Sequence, residues 1–271
     1  MSFKTYYPGG KSKALTLSYD DGQIFDRRLV EIFNKYNMKG TFHLNSGTLG
    51  KDGYVTQEEV KELYAGQEVS CHSVTHPYFT QISQGQLTQE IWEDRRNLER
   101  LAGYTMRGMS YPFGVYDDRT LKTLELTGIE YSRTVNATNG FNVPADFLQW
   151  HPTCHHNDNL QEKLEKFKNQ PAWLSMPLFY IWGHSYEFDS QNNWDMIEKF
   201  CSEASGDNNV WYAANIEIKD YITALRSLVV NVDETLVYNP TAITVWLGRN
   251  NRISELKPGQ TLELYADNCL G

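Results

Sequence analysis

Ala14-Leu15-Thr16-Leu17-Ser18-Tyr19-Asp20-Asp21-Gly22 decides how this chain is read, because it closes an apolar strand with two adjacent carboxylates. Side chains alternate between the two faces of a strand, so the acids take different positions and are free for different work. Gly22 lets the backbone turn away at once and leaves both acids uncovered. Taken alone, an Asp-Asp-Gly turn is most often a solvated loop. It gains meaning from what stands further along.

The second stretch is His72-Ser73-Val74-Thr75-His76-Pro77. Two histidines at i and i+4, with Pro77 stopping regular structure, present both imidazoles to one cation if the segment curls into a helical turn. A carboxylate as third ligand completes a facial set with open positions. This motif follows a candidate strand, Gln67-Glu68-Val69-Ser70-Cys71, just as the aspartates follow the first.

With both stretches in view the chain resembles the polysaccharide deacetylases, the NodB-type proteins of carbohydrate esterase family 4. Ser18-Tyr19-Asp20-Asp21-Gly22 looks like the first family motif and His72-Ser73-Val74-Thr75-His76 like the second. Ser110-Tyr111-Pro112-Phe113-Gly114 stands in the place of the third and Trp182-Gly183-His184 in that of the last. The four run in family order, and the resemblance covers roughly Ala14 to Leu228.

A chain of 271 residues, 40% hydrophobic and 22% charged, has enough apolar surface for one large core. The net charge of −9 argues against nucleic acid and anionic membranes as partners, since both call for a basic patch. The N-terminal stretch has no apolar h-region and no window reaches a membrane span, so a cytoplasmic location is the expectation. Cys71, Cys154, Cys201 and Cys269 show no C-x-x-C spacing and are expected as free thiols.

Strand and helix signals alternate. Strands are expected at 14–19, 39–45, 67–71, 106–111, 129–135, near 147–150, at 174–184 and at 210–215. Helices are expected at 25–37, 57–65, 86–102, 118–128, 159–168, 193–204 and 217–228. Alternation of this kind implies a parallel sheet under covering helices, and about seven strand–helix units is a barrel count. The family resemblance makes the expected fold class α/β, a distorted (β/α) barrel, with function on the loops at the carboxyl ends of the strands. From about Val229 the chain reads as short strands at 229–237, 242–247 and 261–265 separated by turns. The expected division is a deacetylase barrel over 1–228 and a small β appendage over 229–271.

The resemblance also implies roles. Asp21, His72 and His76 correspond to the ligands of one divalent metal ion, most often zinc, with cobalt or nickel as alternatives for the same donors. Asp20 corresponds to the catalytic base, His184 to the catalytic acid, and the backbone N–H of Phe113 to the oxyanion donor. Trp150, Trp182 and Tyr111 are the expected substrate contacts, Trp150 as a wall of the acetyl pocket. One departure stands out: where many members carry an Arg that orients the catalytic Asp, this chain has Ser110. Arg107, three residues earlier on the same strand, faces the other way.

The expected activity is metal-dependent removal of N- or O-acetyl groups from carbohydrates, with short soluble oligosaccharides as substrates. Two other readings stay open: a hydrolase of small or cyclic amides on the same barrel, and a catalytically silent carbohydrate-binding protein. Oligomeric state is not legible.

Overall fold

The computed structural model describes residues 3–171, 174–249 and 252–264. After a short strand β1 (Lys4–Tyr6), the barrel runs β2 (Lys13–Asp21), α1 (Asp26–Lys35), β3 (Gly40–Leu44), α2 (Val60–Leu63) and β4 (Glu68–Cys71). It continues through α3 (Gln84–Ala102), β5 (Gly108–Ser110), α4 (Asp118–Leu126), β6 (Tyr131–Arg133), β7 (Cys154–His155), α5 (Leu160–Lys168) and β8 (Leu178–His184). Then come α6 (Ser185–Ser190), α7 (Trp194–Ala204), β9 (Val210–Tyr212) and α8 (Asn215–Arg226).

The sheet is parallel in the order β6-β5-β4-β3-β2-β8-β7, with β9 pairing the start of β2. Its two edges approach each other through the segment after β6. Trp150 forms a parallel bridge to Arg133, while His156 N–H reaches the carbonyl of Trp182 at 2.9 Å. The barrel is therefore distorted but nearly closed. The strand expected near 147–150 is instead a 3-10 turn at Phe147–Gln149 followed by that single bridging residue. Asp146 accepts the Leu148 N–H at 2.8 Å, and this cap favours the turn over an extended strand.

Alternation along the strands sorts the side chains. Leu15, Leu17, Tyr19, Phe42, Leu44 and Val69 face the helices and join one apolar cluster. Thr16, Ser18, Asp20, Thr41, His43, Glu68 and Ser70, on the other parity, are buried polar groups inside the barrel. Burying a polar group without a partner costs about 1–3 kcal/mol, so such an interior persists only if it is paired. Much of it is. Glu68 accepts from Thr41 Oγ1 at 2.8 Å, Tyr131 O–H at 2.7 Å and Ile216 N–H at 3.0 Å. Asn215 accepts from Thr16 Oγ1 at 2.9 Å and donates to Tyr180 at 2.6 Å.

Helix ends follow the sequence signals. Ser83 and Gln86 form a reciprocal capping box for α3, and Gly103, at φ 82°, ends it in the left-handed region. The C-terminal strands β10 (Val229–Val230), β11 (Leu236–Tyr238), β12 (Val245–Arg249), β13 (Arg252–Leu256) and β14 (Thr261–Glu263) form, together with β1, two three-stranded antiparallel sheets. Strand β1 pairs with β12, so residues 4–6 belong to a C-terminal sheet although they lie on the N-terminal side of the expected division. A second apolar cluster, including Trp150, Tyr180, Ile218, Val237 and Leu247, joins the barrel floor to these strands. Cys71, Cys154 and Cys201 are buried free thiols; Cys269 and Tyr265, which was expected to end a strand, lie outside the described residues.

Candidate active site

Asp20 and its neighbours meet at the carboxyl ends of the strands. In register, Asp20 stands beside His43 of β3 on one side and His184 of β8 on the other. Its carboxylate lies inside the barrel at 3% exposure. Asp21 leaves strand geometry at φ 82°, and this turn carries its carboxylate to the same rim, with Oδ1 3.7 Å from His72 Nε2. Alternation alone does not hold the two acids apart there.

The segment from His72 to His76 forms no helical turn. Positive φ at Ser73 (67°) and His76 (58°) folds it back instead, bringing the two imidazole centroids within 4.7 Å. Anchors outside the segment fix this shape. Asp94 accepts the N–H of His72 at 2.9 Å, Asn45 donates to the carbonyls of His72 and Ser73, and Glu90 accepts from Thr75 N–H and Oγ1. Donor atoms of Asp21, His72 and His76 all lie within 4.8 Å of one another.

The tautomer of His72 suits a ligand. Its Nδ1 lies 2.9 Å from the carbonyl oxygen of Ser110. A carbonyl only accepts, so this network assigns the proton to Nδ1 and leaves the Nε2 lone pair facing the acids. Ser110 Oγ, 2.6 Å from the same Nδ1, donates in turn to Asp20 Oδ1 at 3.0 Å. A single serine thereby touches both the candidate base and a candidate ligand. Two imidazoles and a carboxylate on one rim, one with a fixed free lone pair, fit a divalent cation.

The missing arginine is Arg133. It comes from β6 rather than from the third motif, is fully buried, and donates from Nη2 to Asp20 Oδ2. Its guanidinium stacks on the Trp182 ring at 4.4 Å. Burial alone would raise the Asp20 carboxyl, but the charge of Arg133 holds it well below the usual range. Arg107 is engaged elsewhere, paired with Asp220 and Glu130. His43 is driven down to about 3 by burial and stays neutral beside Asp20.

His184 is oriented by Glu187, one helical turn later in α6, through Nδ1–H to Oε1 at 2.6 Å. Burial opposes its charge, but the Glu187 bond and the fields of Asp20 and Asp21 outweigh this and shift it upward. His155 and His156 also converge on Glu187, with Nε2 atoms 3.2 and 2.9 Å from Oε2. Gly183 makes room: a Cβ there would stand 2.0 Å from His156 Nδ1.

The expected substrate contacts divide. Trp182 is half-buried and reaches the rim beside Arg133 and His184, with its ring centroid 5.6 Å from the His184 ring. Trp150 does not reach it. At 1% exposure it packs on Phe147, Tyr131 and Tyr180 in the floor cluster, because its backbone closes the barrel and its indole fills the bottom. Tyr111 is also buried, its O–H donating to the Leu148 carbonyl at 2.6 Å. Both side chains are buried away from the rim, which corrects the expectation of Trp150 as the acetyl-pocket wall and of Tyr111 as a substrate contact. Phe113, at φ 58°, is 47% exposed and stacks face to face on Tyr78, which is 43% exposed, with its edge against His76.

Comparison with known proteins agrees with this arrangement. Residues 8–132 match the family model described as polysaccharide deacetylase. The chain is 24% identical over 166 residues to a peptidoglycan-N-acetylglucosamine deacetylase of Bacillus cereus, covering 54% of this chain and 59% of that protein. It is 27% identical over 126 residues to a bifunctional xylanase/deacetylase of Pseudobutyrivibrio xylanivorans, covering 44% and 20%. The aligned part is thus less than two thirds of either relative's length. Among solved structures, the Xyl-CE4 domain of a multidomain xylanase from the hindgut metagenome of Trinervitermes trinervoides superposes with a TM-score of 0.56 at 15% identity, over 81% of this chain and 93% of that one. A CE4-family pseudoenzyme from Bacillus anthracis superposes at 0.53 and 18% identity, over 80% and 68%, so the fold by itself carries no activity. Motif order and the matched model agree: over residues 8–132 the chain is similar to the polysaccharide deacetylases.

Proposed function

We propose that this protein hydrolyses acetyl groups from an acetylated carbohydrate, with a divalent metal ion held by Asp21, His72 and His76. The observation that carries the reading is the placement of an ionised acid, Asp20, and a carboxylate-backed imidazole, His184, in register on neighbouring strands beside that ligand set. When bound, the metal ion supplies a Lewis acid and lowers the pKa of water.

The chain's own groups supply the rest. Asp20, fixed by Arg133 and Ser110, accepts a proton from the attacking water. His184 holds a proton on Nε2, kept there by Glu187, and delivers it to the departing sugar nitrogen or oxygen. Trp182 gives the acyl group an apolar wall against Arg133, and the Phe113 backbone N–H is our assignment for the acyl oxygen. Zinc is the ion we propose, because two imidazoles and a carboxylate suit it. Short soluble oligosaccharides are the proposed substrates; a net charge of −9 fits uncharged sugars better than polyanions.

The test is acetate release from chitooligosaccharides, acetylated xylan and acetylated mannan, with metal added or chelated. Release that depends on metal supports the reading. Silence on all three with metal bound would contradict it.

A further inference from the structure

Beside the catalytic rim lies a second convergence of donors that the deacetylase reading does not need. The end of β7 lies next to β8, with His155 in register with Trp182. His155, His156 and the Glu187 carboxylate offer ligand atoms that all lie within 4.8 Å of one another. Glu187 Oε2 stands 3.2 Å from His155 Nε2 and 2.9 Å from His156 Nε2, and accepts from Asn157 Nδ2 at 3.1 Å. Its other oxygen belongs to His184.

His156 is the informative member. Its ring is 1% exposed, stacked between Phe188 at 4.2 Å and Tyr19 at 5.7 Å; Nδ1 makes no hydrogen bond, and Nε2 faces Glu187 Oε2 at 2.9 Å. A buried imidazole normally finds a partner, because leaving one unmade costs about 1–3 kcal/mol. Here Nδ1 is left without one, and Nε2 is aimed at a carboxylate that already faces a second imidazole. Ligands at about 2.0–2.2 Å from one tetrahedral zinc-type ion stand about 3.3–3.6 Å apart, so the two imidazoles, at 3.2 and 2.9 Å from Glu187 Oε2, need to open by only a few tenths of an ångström to admit one.

We propose that His155, His156 and Glu187 form a second divalent-cation site, for a zinc-type ion, with Glu187 shared between that ion and His184. It is the weaker of the two. His155 Nδ1 now accepts the Asn157 N–H at 3.2 Å, and coordination through Nε2 moves the proton to Nδ1 and breaks that bond. Occupation draws Glu187 charge away from His184, so excess metal slows turnover. The site is independent of the deacetylase reading, because metal binding is measured without substrate.

The experiment is equilibrium dialysis of the metal-stripped full chain against rising free zinc, with bound metal counted by mass spectrometry, repeated with cobalt and read by its visible absorption. The wild type should take up two ions in two steps. His155→Gln, at a half-buried position outside the core, should weaken the second step by more than about tenfold while the first persists. Glu187→Gln is the second variant should His155→Gln fail to fold by circular dichroism. His76→Ala should do the reverse, losing the tight step and keeping the weak one. A wild type that saturates at one ion, or a second step unchanged in both His155→Gln and Glu187→Gln, would overturn the proposal.

Discussion

Arg133 Nη2 donates to Asp20 Oδ2 across the barrel, so the guanidinium that faces the candidate base comes from β6 and not from the third motif. Both partners are buried, at 0% and 3% exposure of their side chains. Removing one member of such a pair leaves the other charge uncompensated, at about 3–5 kcal/mol. Arg133→Gln should therefore lower stability to chemical denaturation by about that amount and reduce kcat by about a hundredfold or more, while metal content survives. Arg133→Lys should recover part of the stability but little of the rate, since an ammonium lacks the planar fork.

Ser110→Ala removes only the hydroxyl, which donates to Asp20 Oδ1 at 3.0 Å, and leaves the carbonyl that fixes His72. A hydrogen bond to a charged group contributes about 1.5–3 kcal/mol. The expected outcome is a drop in kcat/KM of about ten- to a hundredfold with zinc affinity nearly unchanged. Steady-state kinetics and metal analysis on the same samples check it.

Glu187 sets the alkaline limb of the pH profile. In the proposed mechanism His184 acts as an acid, so activity should fall as pH rises through its pKa, which Glu187, Asp20 and Asp21 shift upward against burial. Glu187→Gln removes the strongest of those supports, and the limb should move to lower pH. Amide substrates should suffer more than activated esters, whose leaving groups need no proton. An unmoved limb would take His184 out of the acid's role.

The floor residue and the rim residue should part company. Trp150→Ala should cost about 3–5 kcal/mol in denaturant unfolding, because it empties a buried aromatic site, and should change KM little in protein that remains folded. Trp182→Ala should raise KM for acetylated oligosaccharides with a smaller loss of stability.

Asp26 gives a pH dependence unrelated to catalysis. Its buried carboxyl, bonded to Ser185 and Tyr64, is raised from 3.8 to about 7 by burial. Between about pH 4 and pH 7 the unfolded chain has released this proton while the folded chain still holds it, so stability falls as pH rises through that window. A single proton gives a slope approaching about 1.4 kcal/mol per pH unit. Asp26→Asn should flatten the curve of unfolding free energy against pH by up to this amount, measured by urea titration from pH 4 to 8.

The sequence made part of this site legible and hid the rest for physical reasons. Asp20 with Asp21, and His72 with His76, are close in the chain and sit where strands end, so local patterning finds them. Arg133 is invisible to that logic, because its partner lies 113 residues away and only barrel closure brings them together. Glu187 was within reach: it stands three residues after His184, the spacing of one helical turn, once Ser185 is seen to begin a helix. Trp150 and Tyr111 misled because an aromatic at a strand end suits a cleft wall and a barrel floor equally well. The parallel sheet followed from alternation, whereas the pairing of β1 with β12 depends on a contact between chain ends that no local pattern encodes.

The most direct test of the central claim compares wild type, Asp20→Asn and Asp21→Asn in one assay, with acetate release and bound metal measured on the same samples. The account predicts that the wild type binds metal and releases acetate, that Asp20→Asn binds metal and releases none, and that Asp21→Asn loses both. Full acetate release by Asp20→Asn, or a metal-loaded wild type that releases no acetate from any acetylated carbohydrate offered, would contradict it.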